Sequence, residues 1–294
     1  MKISIIVVNY CGDRFIRFLL KNMKNTMKYF DDSEIIVVDN NNDPDNINAK
    51  HEYGRDITDL GDGTELEKYD NVKLVNHNEH AFPTGIHHGL ALQEGYRHIR
   101  DDSDIVFVMD QDLIFLKRHW DVDVFGSINE DCVLSGVIGW WPNSNNLRFT
   151  TGFLKAIFLA FSRSEFDVLI KDHWGFIPYW HENDKKYSLP SSLESYKTES
   201  GDTCCKLSWY CDTVLKKNKV LFLNSDNFEV PQLFTNDGRA FTAWIDDVPF
   251  LHHIGTSHLN VTPKIEKILD RGFVLESEIS EVYRNAFVHH RKDL

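Results

Sequence analysis

The stretch IVFVMDQD, residues 105–112, decides the fold class of this chain. Its first five residues are all apolar, which is typical of a strand buried on both faces in the middle of a parallel sheet. Asp110 and Asp112 follow at once, and alternation along an extended chain points both carboxylates to the same side. Ligands of open α/β sheets bind outside the carboxyl ends of the strands. The stretch therefore predicts a site for a hard divalent cation and diphosphate oxygens, with a solvated acidic turn as the alternative.

The bulk composition is that of a globular protein large enough to bury a full core. The 294 residues are 42% hydrophobic and 26% charged, and the formal net charge is −13 with a pI of about 5.5. This balance argues against general nucleic-acid binding, which requires a basic face. It also gives no support for docking to an anionic membrane.

Nothing at the start of the sequence predicts export or insertion into a membrane. The apolar run at residues 3–8 is too short for a signal peptide or a membrane span, and no other stretch approaches that length. The cysteines form an odd set without metal-ligand spacing, which favours free thiols in a reducing compartment: Cys11, Cys132, Cys204, Cys205 and Cys211. We therefore expect a cytoplasmic protein with no integral membrane segment, with peripheral membrane association left open.

Strand and helix patterns alternate in the first third of the chain and predict a parallel sheet. Strands are predicted at 3–8, 34–38, 72–75 and 105–109, and helices at 15–29 and 84–99, while 51–71 is interpreted as a polar surface excursion. Later segments are less regular. They give strands at 132–139 and 220–223, a core segment at 155–161, loops at 171–200, a helix at 203–217 and a helical tail from 263 that breaks near Gly272.

Polar residues follow the other predicted strands at the same edge as the aspartates. Asn9 and Tyr10 end the first strand, and Asp39 ends the second, where a carboxylate can accept hydrogen bonds from a base or ribose. The alternative for Asp39 is an Asx-rich turn. Gly85 permits close backbone approach near a helix start that could hold an anion. Histidines like the adjacent His87 and His88 are more often exposed or satisfied than ligands.

Taken in order, the segments VVNY at 7–10, IVVDN at 36–40, 78–89 and VMDQD at 108–112 resemble glycosyltransferase family 2. The resemblance covers about residues 1–115 and is to the rhamnosyltransferase-like branch, which acts on bacterial-type surface glycans. Two departures occur in the third segment. Glu79 replaces the usual glycine, and His87 or His88 replaces a later asparagine.

The resemblance implies a GT-A fold, a nucleotide diphosphate sugar donor, a Mn²⁺ or Mg²⁺ cofactor and inversion at the anomeric carbon. It implies that Asp39 contacts the base, Asp110 the ribose or donor sugar, and that Asp112 ligates the metal. The remaining donor-binding residues would be Asn9, Tyr10, Asn78, Gly85 and Gln111. The GT-A catalytic domain would cover 1–262, divided into a nucleotide-sugar part at 1–115 and an acceptor and catalytic part at 116–262, and 263–294 would be a helical tail.

Family members carry a catalytic base in a second acidic motif beyond the aspartate pair, near a helix start. The best match here is ESGDT at 199–203, with Asp202 as the base and Glu199 as the reserve. The alternative is that Asp202 only caps the helix predicted at 203–217.

A histidine-rich segment at 250–258 resembles the His-x-Gly-x-Ser segment near the end of the catalytic core in related transferases. We interpret it as a glycine-containing turn in which His253 ligates the metal, with His252 as the alternative. Trp140 and Trp141 lie in a turn after a predicted strand, where aromatic faces would stack on an acceptor sugar.

The function predicted from these segments is an inverting, metal-dependent glycosyltransferase of the hexosyl or deoxyhexosyl class. It would transfer sugar to a hydroxyl of a glycan or glycolipid in polysaccharide biosynthesis, and an oligomer is possible. Two alternatives stay open. A sugar-nucleotide nucleotidyltransferase should carry a Gly-rich basic loop after the first strand, which residues 9–14 do not supply. The other is a non-catalytic glycan-binding protein on a transferase fold.

Overall fold

The computed structural model describes residues 2–9, 13–40, 66, 68–77, 84–129, 132–139, 153–171, 176, 203, 207, 220–223, 241–245, 248–254 and 263–280. The strands in chain order are β1 Ile3–Asn9, β2 Ser33–Asp39, β3 Val72–Asn76, β4 Ile105–Asp110, β5 Leu113–Phe115, β6 Leu134–Gly139, β7 Phe153–Ser162, β8 Val220–Leu223, β9 Phe241–Ile245 and β10 Val248–His253. The helices are α1 Asp13–Thr26, α2 Thr84–Tyr96, α3 Trp120–Ser127, α4 Arg163–Lys171 and α5 Pro263–Arg271.

A seven-stranded sheet organises the molecule, in the order β3-β2-β1-β4-β7-β6-β8. Neighbouring strands are parallel except at β7, which runs antiparallel to both β4 and β6. The predicted fold class, an α/β protein with a mostly parallel sheet flanked by helices, is confirmed.

Both faces of the central strands are buried, which explains their uninterrupted apolar runs. Ile3, Ile5 and Val7 of β1 pack in one core with α1 and α3, whereas Ile6 and Val8 pack in a second core with α2 and α4. Period-two alternation thus divides one apolar strand between two layers of helices.

The strand order reverses between β1 and β4. β2 and β3 extend the sheet on one side of β1, and β4 pairs with its other side. The helix that follows β1 and the helix that precedes β4 pack on opposite faces. Such a switch point opens a crevice outside the carboxyl ends of the strands, and Asp110 ends β4 at this edge.

A second sheet of three antiparallel strands, in the order β5-β10-β9, continues from the end of β4. β5 follows Asp112 directly, and its residue Phe115 stacks on Trp120 with ring centroids 3.9 Å apart. The aromatic cluster around Phe115, Trp120 and Phe158 joins the second sheet to the first.

Helix α5 packs on α1 in a third apolar cluster that contains Phe15, Phe18, Ile265 and Ile268. At its end Gly272 has a φ of +81°, a left-handed conformation that glycine adopts without strain. The helical pattern predicted from 263 and its break near Gly272 agree with the structure as far as residue 280, and the rest of the predicted tail lies outside the described residues.

Two sequence interpretations need correction. The polar excursion at 51–71 returns to the core, because Leu66 is buried there and Tyr69 packs beside it. Within 250–258, interpreted as a turn, residues up to His253 belong to β10, whose backbone pairs with two other strands. The helix predicted at 203–217 and the loops at 171–200 lie almost wholly outside the described residues. Among the described helices, none is both long and apolar enough to cross a membrane.

Candidate active site at the carboxyl edge of the sheet

The polar ends of four adjacent strands meet at one edge of the sheet. The register pairs Asn76 with Asp39, Asp39 with Asn9, and Val8 with Asp110. Asn9 and Asp39 are buried, and Asn9 donates a hydrogen bond from Nδ2 to Asp39 Oδ1 over 3.2 Å. This bond orients the Asp39 carboxylate at the edge of the sheet.

Backbone bonds tie the same strand ends together. The amide of Asn40 donates to the carbonyl of Asn9 over 3.0 Å, and the amide of His77 donates to the carbonyl of Asp39 over 2.9 Å. His77 is buried, and its ring lies 6.0 Å from that of His87 on α2. The edge is therefore rigid and lined by acceptors and imidazoles.

Asp110, Asp112 and His253 form the cluster that can hold a cation. One ligand atom from each lies within 4.8 Å of the others. His253 Nε2 is 3.4 Å from Asp112 Oδ1, and their side chains are only 10% and 8% exposed, whereas that of Asp110 is 23% exposed. The cluster is therefore shielded from solvent at His253 and Asp112 and is accessible to solvent at Asp110.

Strand pairing explains how a histidine so distant in sequence reaches the aspartates. His253 pairs with Leu113, the residue after Asp112, and the amide of Ile254 donates to the carbonyl of Asp112 over 3.1 Å. A shift of one residue would turn the other histidine toward the aspartates. The β5–β10 ladder therefore selects His253 over His252.

His252 points to the other side of β10. It is fully buried, with its Nδ1 3.1 Å from the hydroxyl oxygen of Thr242 on β9. Burial lowers the pKa of His252 to about 3, assisted by the neighbouring His253 and opposed by Asp112. His252 is thus a neutral, packed side chain beside the candidate metal site.

The first turns of α2 bring a further histidine to the edge. His88 Nε2 is 3.5 Å from Asp110 Oδ1, and His88 Nδ1 is 3.5 Å from the hydroxyl oxygen of Thr203. Thr203 is buried. A residue that follows Asp202 in the sequence therefore lies one imidazole ring away from Asp110.

The structure brings together several of the predicted site residues: Asn9, Asp39, Asp110, Gln111, Asp112 and His253. Gly85 lies in the first turn of α2. The others lie outside the described residues, namely Tyr10, Asn78, Trp140, Trp141, Glu199 and Asp202. For all of these residues, inside or outside the described ranges, the roles stated from the sequence stay predictions.

Sequence reasoning set aside the two residues that contact each other beside Asp110. His88 was expected to be exposed or satisfied elsewhere, and Thr203 had no role apart from following Asp202. The usable signal was the position of His87 and His88, one of which replaces an asparagine in the family that the sequence resembles. No local pattern indicates Thr203, because its partner lies 115 positions away.

The donor set fits a divalent cation of the Mn²⁺ or Mg²⁺ type. In an octahedral shell with bonds of about 2.1 Å, ligand atoms lie about 3 Å apart when adjacent and about 4 Å apart when opposite. The distance of 3.4 Å between His253 Nε2 and Asp112 Oδ1 lies between these values, and all ligand atoms of the cluster are within 4.8 Å of one another. Two carboxylates with one imidazole also leave several positions for phosphate oxygens and water.

No family model and no curated protein matches the chain. It is similar to several solved structures. One is a mannosyltransferase from Pyrobaculum calidifontis in complex with GDP-Man and Mn²⁺, at 20% identity over 59% of this chain and 47% of that one, with a TM-score of 0.41. A second is S. aureus TarS 1-349 in complex with UDP-GlcNAc, at 16% identity over 60% and 48%, with a TM-score of 0.37.

A third is the glycosyltransferase GlyE of Streptococcus pneumoniae TIGR4, at 11% identity over 99% of this chain and 64% of that one, with a TM-score of 0.46. The chain spans about half the length of the first structures that it matches.

Proposed function

We propose that the chain is a metal-dependent glycosyltransferase of GT-A type that uses a nucleotide diphosphate sugar. The observation that carries this proposal is the cluster of Asp110, Asp112 and His253 at the switch point of the sheet. Carboxylates held nearly dry at a strand end are costly unless a cation or a partner compensates them. Their place, where α/β sheets bind ligands, favours a cation that belongs to a substrate complex.

Asp112 and His253 would hold Mn²⁺ or Mg²⁺, which supplies Lewis-acid stabilisation of the departing nucleoside diphosphate. Asp110, the more exposed member of the cluster, would accept a hydrogen bond from a hydroxyl of the ribose or donor sugar. Asp39, oriented by Asn9, would accept from the base. The remaining donor contacts would come from Tyr10, Asn78, Gly85 and Gln111.

Transfer needs a base on the side of the sugar opposite the leaving group, to take the proton of the acceptor hydroxyl. We assign this role to Asp202, with Glu199 in reserve. The contact of Thr203 with His88 supports the assignment, since the residue after Asp202 is buried against a histidine that itself contacts Asp110. A single displacement with this base gives inversion at the anomeric carbon.

The acceptor would be a hydroxyl of a glycan or glycolipid, stacked on Trp140 or Trp141. The resemblance to the rhamnosyltransferase-like branch favours a hexose or deoxyhexose donor and a role in polysaccharide biosynthesis. In that role the protein would work in the cytoplasm, with peripheral membrane association and an oligomer both compatible with the proposal.

The proposal is tested by incubating the purified protein with Mn²⁺ and a panel of UDP-, GDP- and dTDP-sugars and measuring release of nucleoside diphosphate. We expect slow hydrolysis of at least one donor, which is lost in Asp112→Ala and kept in Asp101→Ala, a control at an exposed carboxylate away from the edge. Proton NMR of the first sugar product reports inversion or retention.

The other outcomes point to other functions. Release of pyrophosphate from a sugar phosphate and a nucleoside triphosphate would indicate a nucleotidyltransferase. Donor binding without turnover would indicate a non-catalytic glycan-binding protein. Turnover that persists unchanged in Asp112→Ala would contradict the assigned metal site.

A further inference from the structure

His88 contacts both Asp110 and Thr203. Its Nε2 faces Asp110 Oδ1 and its Nδ1 faces the Thr203 hydroxyl, each over 3.5 Å, at the outer limit of a hydrogen bond. Asp110 ends a strand of the main sheet, whereas Thr203 belongs to the segment that follows Asp202. The imidazole therefore bridges two parts of the chain 93 positions apart.

The chemistry of the two neighbours fixes the orientation of the ring. An ionised carboxylate only accepts, so the nitrogen that faces Asp110 carries the proton. The other nitrogen then faces the Thr203 hydroxyl, which can act as either donor or acceptor. Both nitrogens then have partners in one orientation of the ring, and a hydroxyl at position 203 is needed to complete the arrangement.

The helix that carries His88 is held close to the sheet. A Cβ on Gly95, two turns further along α2, would lie 2.5 Å from Ile6 Cγ2 and 2.9 Å from Val38 Cγ2. The helix can therefore lie this close only because residue 95 has no side chain. His88 is thus presented to Asp110 by a rigid element rather than by a loop.

We propose that His88 is a positioning residue that holds Thr203, and with it the segment to which we assign the base, at a fixed distance from Asp110. This inference rests on the function proposed above, because it gives His88 a task in the same reaction. His88 contacts none of the reacting atoms. Its loss should lower the rate of transfer while donor affinity changes little.

The kinetic test uses His88→Ala, Thr203→Val, the double variant and Thr203→Ser, with Mn²⁺ and the nucleotide sugar that the wild type hydrolyses fastest. We expect kcat to fall about 10- to 100-fold in each of the first two, with KM for the donor within about threefold, the size found when an orienting partner is removed. The double variant should be no slower than His88→Ala. Thr203→Ser keeps the hydroxyl and should therefore keep the wild-type kcat. His98→Ala, a histidine outside the site, is the control and should keep the wild-type kcat.

A kcat within twofold of wild type in His88→Ala, or losses that multiply in the double variant, would overturn the proposal. Hydrogen–deuterium exchange gives a readout without turnover. Mn²⁺ should slow exchange in the peptide that contains Thr203 in the wild type but not in His88→Ala. If no nucleotide sugar is hydrolysed by the wild type, the proposed function fails, and the exchange result alone tests whether His88 positions the segment of Thr203. Equal slowing in both proteins would then refute the positioning role.

Discussion

His252 and His253 are neighbours in β10 with different surroundings, because successive residues of a strand point to opposite sides. His253 faces the two aspartates, and His252 is buried against Thr242. One histidine is therefore available to a cation, whereas the other completes the packing beneath it. The pair offers an internal comparison between a ligand and a structural neighbour.

We predict that His253→Ala weakens Mn²⁺ binding at least about tenfold, because one of the two side chains assigned to the metal is removed. His252→Ala should leave the dissociation constant within about threefold. It should instead lower the free energy of unfolding, by about 1–3 kcal/mol for the buried Thr242 hydroxyl that loses its partner, with a further cavity cost. Titration calorimetry with Mn²⁺ and urea denaturation measure the two effects. Equal Mn²⁺ affinity in wild type and His253→Ala would remove His253 from the site.

At the scale of elements, Gly95 determines how closely α2 packs on the sheet. A methyl group there would overlap with Ile6 and Val38, both completely buried. Gly126 in α3 provides a matched comparison, since a Cβ there meets no atom within 4 Å. The two glycines occupy helices of the same molecule but differ in the space beside them.

Gly95→Ala should destabilise the protein by about 1–3 kcal/mol, the cost of overpacking a core. Gly126→Ala should stabilise it by about 0.4–1 kcal/mol through the entropy of the unfolded chain. Urea denaturation of both variants checks the prediction. A stabilised Gly95→Ala would mean that α2 can move away from the sheet, and the placement of His88 would then depend on something other than this contact.

A second contact of α2 is sensitive to pH. The Tyr96 hydroxyl donates a hydrogen bond to Asp167 on α4, and the Arg163 guanidinium lies 5.1 Å from the Tyr96 ring centroid. Burial, followed by the bond to Asp167, raises the pKa of Tyr96 to about 12 from its ordinary value of 10.0. Between these values the folded protein keeps a proton that the unfolded chain releases.

The free energy of unfolding should therefore carry a contribution from Tyr96 that is complete below pH 10 and is lost as the pH rises from about 10 to about 12. Tyr96→Phe cannot titrate there. Urea denaturation across this range should show a shallower decline for Tyr96→Phe than for the wild type. Parallel curves would contradict the raised pKa.

The elements that the sequence predicted correctly are those whose signal is local. β1, β2 and β4 are continuous apolar runs, and their polar ends mark the edge where ligands bind. The direction of β7 was not predictable, because an apolar run buried on both faces has the same pattern in either direction. β5 has only three residues, too few for any periodicity.

The candidate site likewise combines residues that a local sequence pattern reveals with residues that only the packing of the chain reveals. The Asp110 and Asp112 pair follows from one strand and its exit, so it could be found from residues 105–112 alone. The choice of His253 over His252 depends on the β5–β10 register, which no local pattern encodes. The contact of His88 with Thr203 depends on how two distant segments pack, and only the folded chain reveals it.

At the scale of the whole molecule, the candidate metal site joins the two sheets. Asp110 ends a strand of the seven-stranded sheet, Asp112 follows it, and His253 ends a strand of the three-stranded sheet. A cation bound by Asp112 and His253 would link the exit of β4 to β10, in addition to the aromatic packing around Phe115. Metal binding would thus stabilise the molecule as a whole.

A ligand that binds only the folded state adds about 2.7 kcal/mol to the free energy of unfolding at one hundred times its dissociation constant. At such a Mn²⁺ concentration we expect the melting temperature to rise by about 5–10 °C, and to fall back when EDTA is added. Asp112→Ala should melt at the same temperature with and without Mn²⁺, whereas the exposed control Asp101→Ala should respond like the wild type. Differential scanning calorimetry measures all three. A wild-type melting temperature that does not change with Mn²⁺ would show that the aspartates and His253 hold no cation until the diphosphate of a donor supplies further ligands. Repeating the scan with Mn²⁺ and UDP or GDP would test that directly.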